Sequence, residues 1–196
     1  MENEKSSLEI LRDVAKRADW EIDVSVEKQH FRAGNDVKKI VIRNFEFKDA
    51  YFVSSHSMNS DKYRLYSGVF YPVRGLDSYK LLIRKRDAMD KLSFRKDKLR
   101  FKIGSSSFDS KVFIETNNDI ETHKLLSSSK IQTEIVEFLN FTDRLQIGIN
   151  EINPDLNKEL SGKSYLSVFM FMEWMLDKEL IDKAFKLSEL LKSKFN

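Results

Sequence analysis

The chain has 196 residues, of which 41% are hydrophobic, and its 34 basic and 31 acidic residues leave a formal net charge of +3. This composition indicates a packed globular domain rather than a disordered chain, and the near balance of charge does not favour a nucleic-acid binder. The chain contains no cysteine, which excludes disulfides and thiolate zinc sites and is typical of a reducing compartment.

The compartment is predicted from two further features of the chain. The first seven residues are polar and lack the basic-then-apolar pattern of a signal peptide. The longest nearly continuous apolar run, Tyr165 to Leu176, has 12 residues, whereas a helix needs about 20 to span a bilayer. We therefore expect one cytoplasmic domain over residues 1–196, with no transmembrane segment.

The N-terminal residues predict a helix followed by a strand. Ser6 and Glu9 have the spacing of a capping box, and apolar residues then recur at helical spacing, which predicts a helix over 7–18. From Trp20 to Glu27 apolar and polar residues alternate. This alternation predicts a strand with one buried and one solvated face.

The middle of the chain is predicted to consist mainly of strands. Its apolar patterns predict strands over 38–48, 51–57, 63–73, 79–84, 99–103 and 112–116. Within 38–48 the apolar residues move from even-numbered positions (Ile40, Ile42) to odd-numbered ones (Phe45, Phe47). This shift predicts a bulge or bend near Asn44. A short helix over 87–92 is also expected, and Gly104–Ser107 is interpreted as a hairpin loop.

The C-terminal part is predicted to be helical, apart from two strands. Leu125 and Leu126 indicate one short helix, apolar spacing over 131–139 indicates a second, and residues 145–149 and 166–174 predict strands. Asp177 is the expected N-cap of a final helix, whose apolar stripe consists of Leu180, Ala184, Leu187 and Leu191. The predicted fold class is α+β: a largely antiparallel sheet with an N-terminal helix, two short helices in the middle and a C-terminal amphipathic helix.

Two stretches resemble a known protein family. Tyr66-Ser67-Gly68-Val69-Phe70 is similar to an F-x-G-x-F strand, and Phe113 to Asp119 followed by Leu125-Leu126 is similar to a strand, a Thr/Ser, an Asp and a leucine pair at a helix start. The N-terminal helix followed by Asp19-Trp20-Glu21 agrees with the same arrangement. These features resemble a diffuse family of bacterial proteins, some of them membrane-anchored, that carry a domain of unknown function. The resemblance implies no catalytic residues.

The three histidines, His30, His56 and His123, do not form a metal-binding motif. None has a second histidine at the spacing that places two imidazoles on one helix face. His123 precedes the leucine pair and is interpreted as a surface residue or a capping donor. We therefore expect structural roles for the histidines, with no bound metal and no cofactor.

The remaining candidates for catalysis are also interpreted as structural. Asp23 and Glu27 fall on the wet face of the predicted first strand. At about 3.3 Å per residue they lie about 13 Å apart, too far to share a metal ion. Gly104–Ser107 lacks the residues of a nucleophile elbow or a phosphate-binding loop. We expect no catalytic residues and no enzymatic activity.

A basic segment over residues 80–102 is the strongest candidate for a binding site. It contains ten basic and three acidic residues and so carries a net charge of +7; since the whole chain carries +3, the rest carries −4. Phe94 and Phe101 interleave with its cations, a combination that suits phosphate contact and base stacking. The predicted polyanion-binding residues are Arg84, Lys85, Arg86, Arg95, Lys96, Lys98, Arg100 and Lys102. Alternation around Leu99, Phe101 and Ile103 favours a second interpretation, in which these charges are a solvated strand face.

These patterns leave three hypotheses for the function. The first is a non-enzymatic intracellular binding or protein-interaction module with an unknown protein partner. The alternative is binding of a polyanion, either a nucleic acid or an acidic surface, through residues 80–102. The third and least favoured is a metal-dependent hydrolase whose acids lie far apart in sequence. Homodimerisation through residues 165–176 or the C-terminal stripe is an alternative to a core role for those residues.

Overall fold

Within the described residues, the protein combines an eight-stranded antiparallel sheet with five helices, which confirms the predicted α+β class. The structure, a computed structural model, describes residues 6–28, 36–44, 46–47, 49–56, 65–87, 90, 100–154 and 164–195. The described helices are α1 (Ser7–Arg17), α2 (Ser106–Asp109), α3 (Asp119–Leu126), α4 (Ser129–Leu139) and α5 (Lys178–Lys192). The strands are β1 (Glu21–Lys28), β2 (Asp36–Arg43), β3 (Tyr51–His56), β4 (Leu65–Val73), β5 (Leu81–Lys85), β6 (Val112–Thr116), β7 (Leu145–Ile149) and β8 (Ser164–Phe171). None of the helices in these ranges is long and apolar enough to cross a membrane.

The sheet has the strand order β1-β2-β3-β4-β8-β7-β5-β6, and every neighbouring pair is antiparallel. The first four strands follow one another as a meander. The last two strands in the chain, β7 and β8, then insert between β4 and β5. Strand β8 therefore lies in the middle of the sheet. This position explains why β8 has apolar residues on both of its faces and is almost entirely buried.

The strands β4 and β8 approach each other closely at Gly68. Gly68 pairs with Phe169, and a Cβ atom built on this glycine would collide with the Val168 carbonyl oxygen and with Phe169. Only glycine allows this approach, since every other residue carries a Cβ. The central pairing that places β8 in the sheet therefore depends on a residue without a side chain.

The two faces of the sheet support two separate apolar clusters. The larger contains buried apolar residues from each of the five described helices, including Leu11 and Ala15 of α1 and Ile181 of α5. The smaller lies on the opposite face and is built around Phe70 and Phe169. Because no residue of a described helix belongs to the smaller cluster, these helices cover one face of the sheet.

The helix starts predicted at Ser6 and at Asp177 are confirmed. At α1 the Ser6 Oγ accepts from the Glu9 N–H at 3.3 Å, and a Glu9 carboxylate oxygen accepts from the Ser6 N–H at 2.7 Å, which completes a capping box. At α5 the Asp177 carboxylate accepts from the Leu180 N–H at 2.9 Å. The apolar stripe that follows Asp177 is buried, as its period predicted.

The strand predicted over 38–48 ends earlier, at Arg43. The Asn44 Oδ1 accepts from the Glu46 N–H at 3.0 Å, and the Asn44 carbonyl accepts from the Phe47 N–H at 3.1 Å. These bonds form a turn, and Asp49 completes it with a φ of 69°. The shift of the apolar residues from even to odd positions therefore marks the end of β2 rather than a bulge within it.

The predictions for residues 99–107 were wrong in two respects. In place of a strand, the described residues make a single antiparallel bridge between Arg100 and Glu115. In place of a hairpin loop, the helix α2 begins at Ser106. The Asp109 carboxylate accepts from the Ile103 N–H at 3.1 Å and from the Gly104 N–H at 2.9 Å, which folds the chain back onto the helix. A short-range side-chain acceptor thus prevails over the alternating pattern.

The leucine pair lies in the last turn of α3 rather than at a helix start. The N-cap of this helix is Asn118, whose Oδ1 accepts from the Glu121 N–H at 3.1 Å. His123 is exposed in the same last turn. The predicted helix over 87–92 falls mostly outside the described residues.

Candidate functional site

The basic segment is only partly within the described residues. Arg84, Lys85, Arg86, Arg100 and Lys102 are described, whereas Arg95, Lys96 and Lys98 lie outside the described residues. The structure therefore shows what five of the eight predicted binding residues contact. Three of these five contact other groups of the protein.

Arg84 is held by an acidic pair. Its guanidinium donates to both carboxylate oxygens of Asp90, at 2.8 and 2.5 Å, and the Asp87 carboxylate lies 3.5 Å away. Asp90 also accepts from the Asp87 N–H at 2.8 Å. Burial opposes ionisation of Asp90, but the hydrogen bonds from Arg84 and Asp87 outweigh it and hold the Asp90 pKa below its usual range. Arg84 is therefore a partly buried structural cation.

The next two cations of the segment also have internal partners. The Lys85 ammonium lies 2.8 Å from the Asp143 carboxylate. The Arg86 guanidinium donates to the Asp109 carbonyl at 3.1 Å. Because these two side chains and Arg84 already have partners, a phosphate would have to compete with those partners to bind them.

The other two described residues of the predicted binding set, Arg100 and Lys102, are exposed. Arg100 forms a bridge with Glu115 of the edge strand β6, and Lys102 lies two residues further along the chain. The Arg100 guanidinium lies 5.5 Å from the ring centre of Phe113, and the Arg84 guanidinium lies 4.2 Å from the same ring. Of the five described residues predicted to bind a polyanion, Arg100 and Lys102 are therefore the two that the structure leaves open to a ligand.

The predicted histidine and acidic candidates are dispersed. His56 ends β3, His123 is exposed on α3, and His30 lies outside the described residues. Asp23 is exposed on the edge strand β1. Within the described ranges, no group of three or more histidine or acidic side chains is placed to hold a metal ion.

A cleft of about 680 Å³ opens on the helix-bearing side of the sheet. Leu8 of α1 forms one wall, Val24 and Ile40 come from the paired strands β1 and β2, and Leu65 begins β4. Val24 and Ile40 are direct cross-strand partners, so their side chains point to the same face of the sheet. The cleft is therefore bounded by regular elements on two sides.

The third side of the cleft is the segment that joins β8 to α5. Met172, Trp174 and Leu176 of this segment line the cleft. The Met172 N–H donates to the Leu65 carbonyl at 2.7 Å, and the Ser67 hydroxyl accepts from the Met175 N–H. Strand β4 thus fixes the segment at two points, through one backbone hydrogen bond and one hydrogen bond to a side-chain hydroxyl.

Four polar residues line the same cleft: Ser6, Ser7, His56 and Glu173. The Glu173 carboxylate lies 3.3 Å from the Arg144 guanidinium, so its charge is already paired. The Ser7 and His56 side chains make no hydrogen bond to another described residue. The cleft therefore combines apolar walls with a few polar groups that can orient a ligand.

A second, smaller groove of about 310 Å³ lies between α4 and α5. Glu134 and Glu137 stand on one side and Lys183 and Lys186 on the other. Phe141 is 52% exposed at this groove, and the Lys183 ammonium lies 4.2 Å from its ring centre. This cation–π contact shields part of the aromatic ring.

Sequence reasoning missed the cleft. Its lining comes from α1, β1, β2, β3, β4 and residues 172–176, and no local pattern connects stretches so far apart. Residues 166–174 were predicted as one strand, but β8 ends at Phe171 and Met172 takes a φ of 60°. Met172 and Trp174 were included in the predicted strand because they continue its apolar run, and their role in the cleft was therefore missed.

Comparison with protein-family models, with curated proteins and with solved structures finds no match. The resemblance to a domain of unknown function therefore stays a prediction.

Proposed function

We propose that the protein is a binding module that holds a small molecule in the cleft between α1, strands β1–β4 and residues 172–176. The observation that carries this proposal is the cleft itself. Its volume of about 680 Å³ falls within the range of about 300–1,000 Å³ typical of ligand sites. Seven of the eleven described residues that line it are apolar, and burying such a lining against a ligand is favourable.

The surroundings of the cleft support binding in a preformed site. The capping box fixes the start of α1, and β4 fixes residues 172–176 through Leu65 and Ser67. A ligand that enters such a site orders few further groups, which lowers the entropic cost of association. The polar side chains of Ser7 and His56 supply the directional contacts that give a ligand its orientation.

The test is a titration of the protein with Nile red, an uncharged apolar dye whose emission rises and shifts to the blue in apolar surroundings. We expect saturable binding to the wild-type protein. Leu8→Trp fills the cleft from the α1 wall and should weaken binding at least tenfold. Ile10→Trp, two positions along the same helix and outside the cleft lining, is the matched control and should bind as wild type.

Thermal melting of both variants shows whether they remain folded. If Leu8→Trp does not fold, Leu65→Trp is used instead, because it fills the cleft from the opposite wall. No dye binding to the wild-type protein, or equal binding to the filled and control variants, contradicts a ligand site in the cleft.

A second candidate function is polyanion binding, which the exposure of Arg100 and Lys102 supports. Fluorescence anisotropy with labelled single-stranded RNA and DNA at about 50 and 200 mM salt tests it, because binding through phosphates weakens steeply with salt. Replacing Arg100 and Lys102 by glutamate should abolish binding, whereas Lys194→Glu at the far end of the chain should not. Absence of binding at the lower salt concentration excludes this function, since screening is weakest there.

A further inference from the structure

We infer that the cleft takes an uncharged amphiphile, a molecule with an apolar body and one neutral polar end such as a hydroxyl, an ester or an amide. This inference rests on the proposed function, and it assigns the chemical class of the ligand. Three observations support it: the charges of the lining, the state of the helix start beside the cleft, and the polar groups left open.

The first observation concerns charge. Glu173 is the one formally charged side chain among the described lining residues, and it is paired with Arg144 at 3.3 Å. An anionic head group in the cleft would meet Glu173 and find no lysine or arginine in the described lining. A cationic head group would gain a partner only by displacing Arg144. Since an unpaired charge is expensive to bury, both kinds of charged ligand are disfavoured.

The second observation concerns the start of α1. The positive end of a helix normally attracts an anion. Here the Glu9 carboxylate already occupies that end and accepts from the Ser6 N–H at 2.7 Å and from the Ser6 hydroxyl at 2.9 Å. A ligand carboxylate or phosphate at this edge of the cleft would therefore be repelled by Glu9.

The third observation concerns hydrogen bonding. Ser7 and His56 both line the cleft, and their side chains have no hydrogen-bond partner among the described residues. A hydroxyl can both donate and accept hydrogen bonds, and an imidazole offers two ring nitrogens for hydrogen bonding. These two groups therefore suit a neutral head group that itself donates or accepts hydrogen bonds.

The sequence provides a reporter for the test. The chain has two tryptophans, and Trp174 lines the cleft. Trp20 lies elsewhere, with its ring edge-on to Phe185 at 5.7 Å between centres. A Trp20→Phe variant keeps an aromatic ring at that contact and leaves Trp174 as the sole source of indole fluorescence.

The experiment titrates the Trp20→Phe protein at neutral pH with three probes that share one chain length: 1-decanol, decanoate and decylammonium. All three are kept below the concentrations at which they self-associate. We expect 1-decanol to change the Trp174 emission saturably, with a Kd at least tenfold lower than that of either charged probe. A second variant, Glu173→Gln, should tighten decanoate binding at least threefold and leave 1-decanol within twofold.

Each outcome separates the class of ligand from the existence of the site. Tighter binding of decanoate or decylammonium than of 1-decanol overturns the inference and leaves the cleft as a ligand site. No response to any of the three probes, with Nile red still bound, also overturns the inference. If Nile red fails to bind as well, the proposed function itself is wrong.

Discussion

Asp90 shows how one buried carboxylate organises its neighbours in this protein. It is 7% exposed, binds the Arg84 guanidinium through both oxygens, and accepts from the Asp87 N–H. The sequence predicted Arg84 to be a polyanion-binding residue because it lies in a basic segment, where a cation without a partner is expected. Its acidic partner is six residues away, and the charge pattern alone cannot show that the two side chains pair.

Replacing Asp90 by asparagine should destabilise the protein by about 2–3 kcal/mol, because the charged Arg84 loses its strongest hydrogen bonds while it remains partly buried. Urea unfolding at neutral pH measures this change. The exposed pair of Lys85 and Asp143 offers a matched control, since Asp143 is 83% exposed. Asp143→Asn should change the free energy of unfolding by about 0.5 kcal/mol or less.

The same carboxylate makes stability depend on pH in the acid range. Because the Asp90 pKa is lower in the folded protein than in the unfolded chain, its stabilisation is complete above the unfolded pKa of about 4. It is lost as the pH falls through the lower folded pKa. The wild-type protein should therefore lose more stability below about pH 4 than Asp90→Asn does. Parallel loss in both proteins would show that Asp90 is not the responsible group.

At the scale of elements, the sequence predicted helices better than turns. The capping box at Ser6 and the N-cap at Asp177 are local signals, and both helices begin where they indicate. The end of β2 and the start of α2 depend on side-chain acceptors, Asn44 and Asp109, that bond to nearby backbone N–H groups. Such hydrogen bonds compete with strand formation, and the spacing of apolar residues does not predict them.

The C-terminal helix offers a test of element packing. Leu187 belongs to the buried stripe of α5 and is 5% exposed. Leu187→Asp should destabilise the protein by several kcal/mol, since it places an unpaired charge in an apolar contact. Lys186→Asp changes the neighbouring exposed position and should have a much smaller effect. A melting temperature of Leu187→Asp within error of wild type would show that the stripe does not pack as described.

At the scale of the whole molecule, strand order and the cleft were beyond prediction. Alternating apolar residues identified β7 as a strand, and a short continuous apolar run identified β8, but nothing local shows that they insert between β4 and β5. The cleft follows from that insertion, because β8 beside β4 brings residues 172–176 next to Leu65. Its walls come from both ends of the chain, so only the assembled fold reveals the cleft.

The most direct test of the account is a methyl NMR titration with 1-decanol, with assignments from single-site variants. If the cleft binds 1-decanol, the methyl groups of its lining residues Leu8, Val24 and Ile40 should shift progressively as the ligand is added. The methyl groups of Leu187 and Leu190 beside the groove between α4 and α5 serve as the internal control and should not shift. Shifts confined to Leu187 and Leu190, or no shift at any of these methyl groups, would contradict a ligand site between α1 and the sheet.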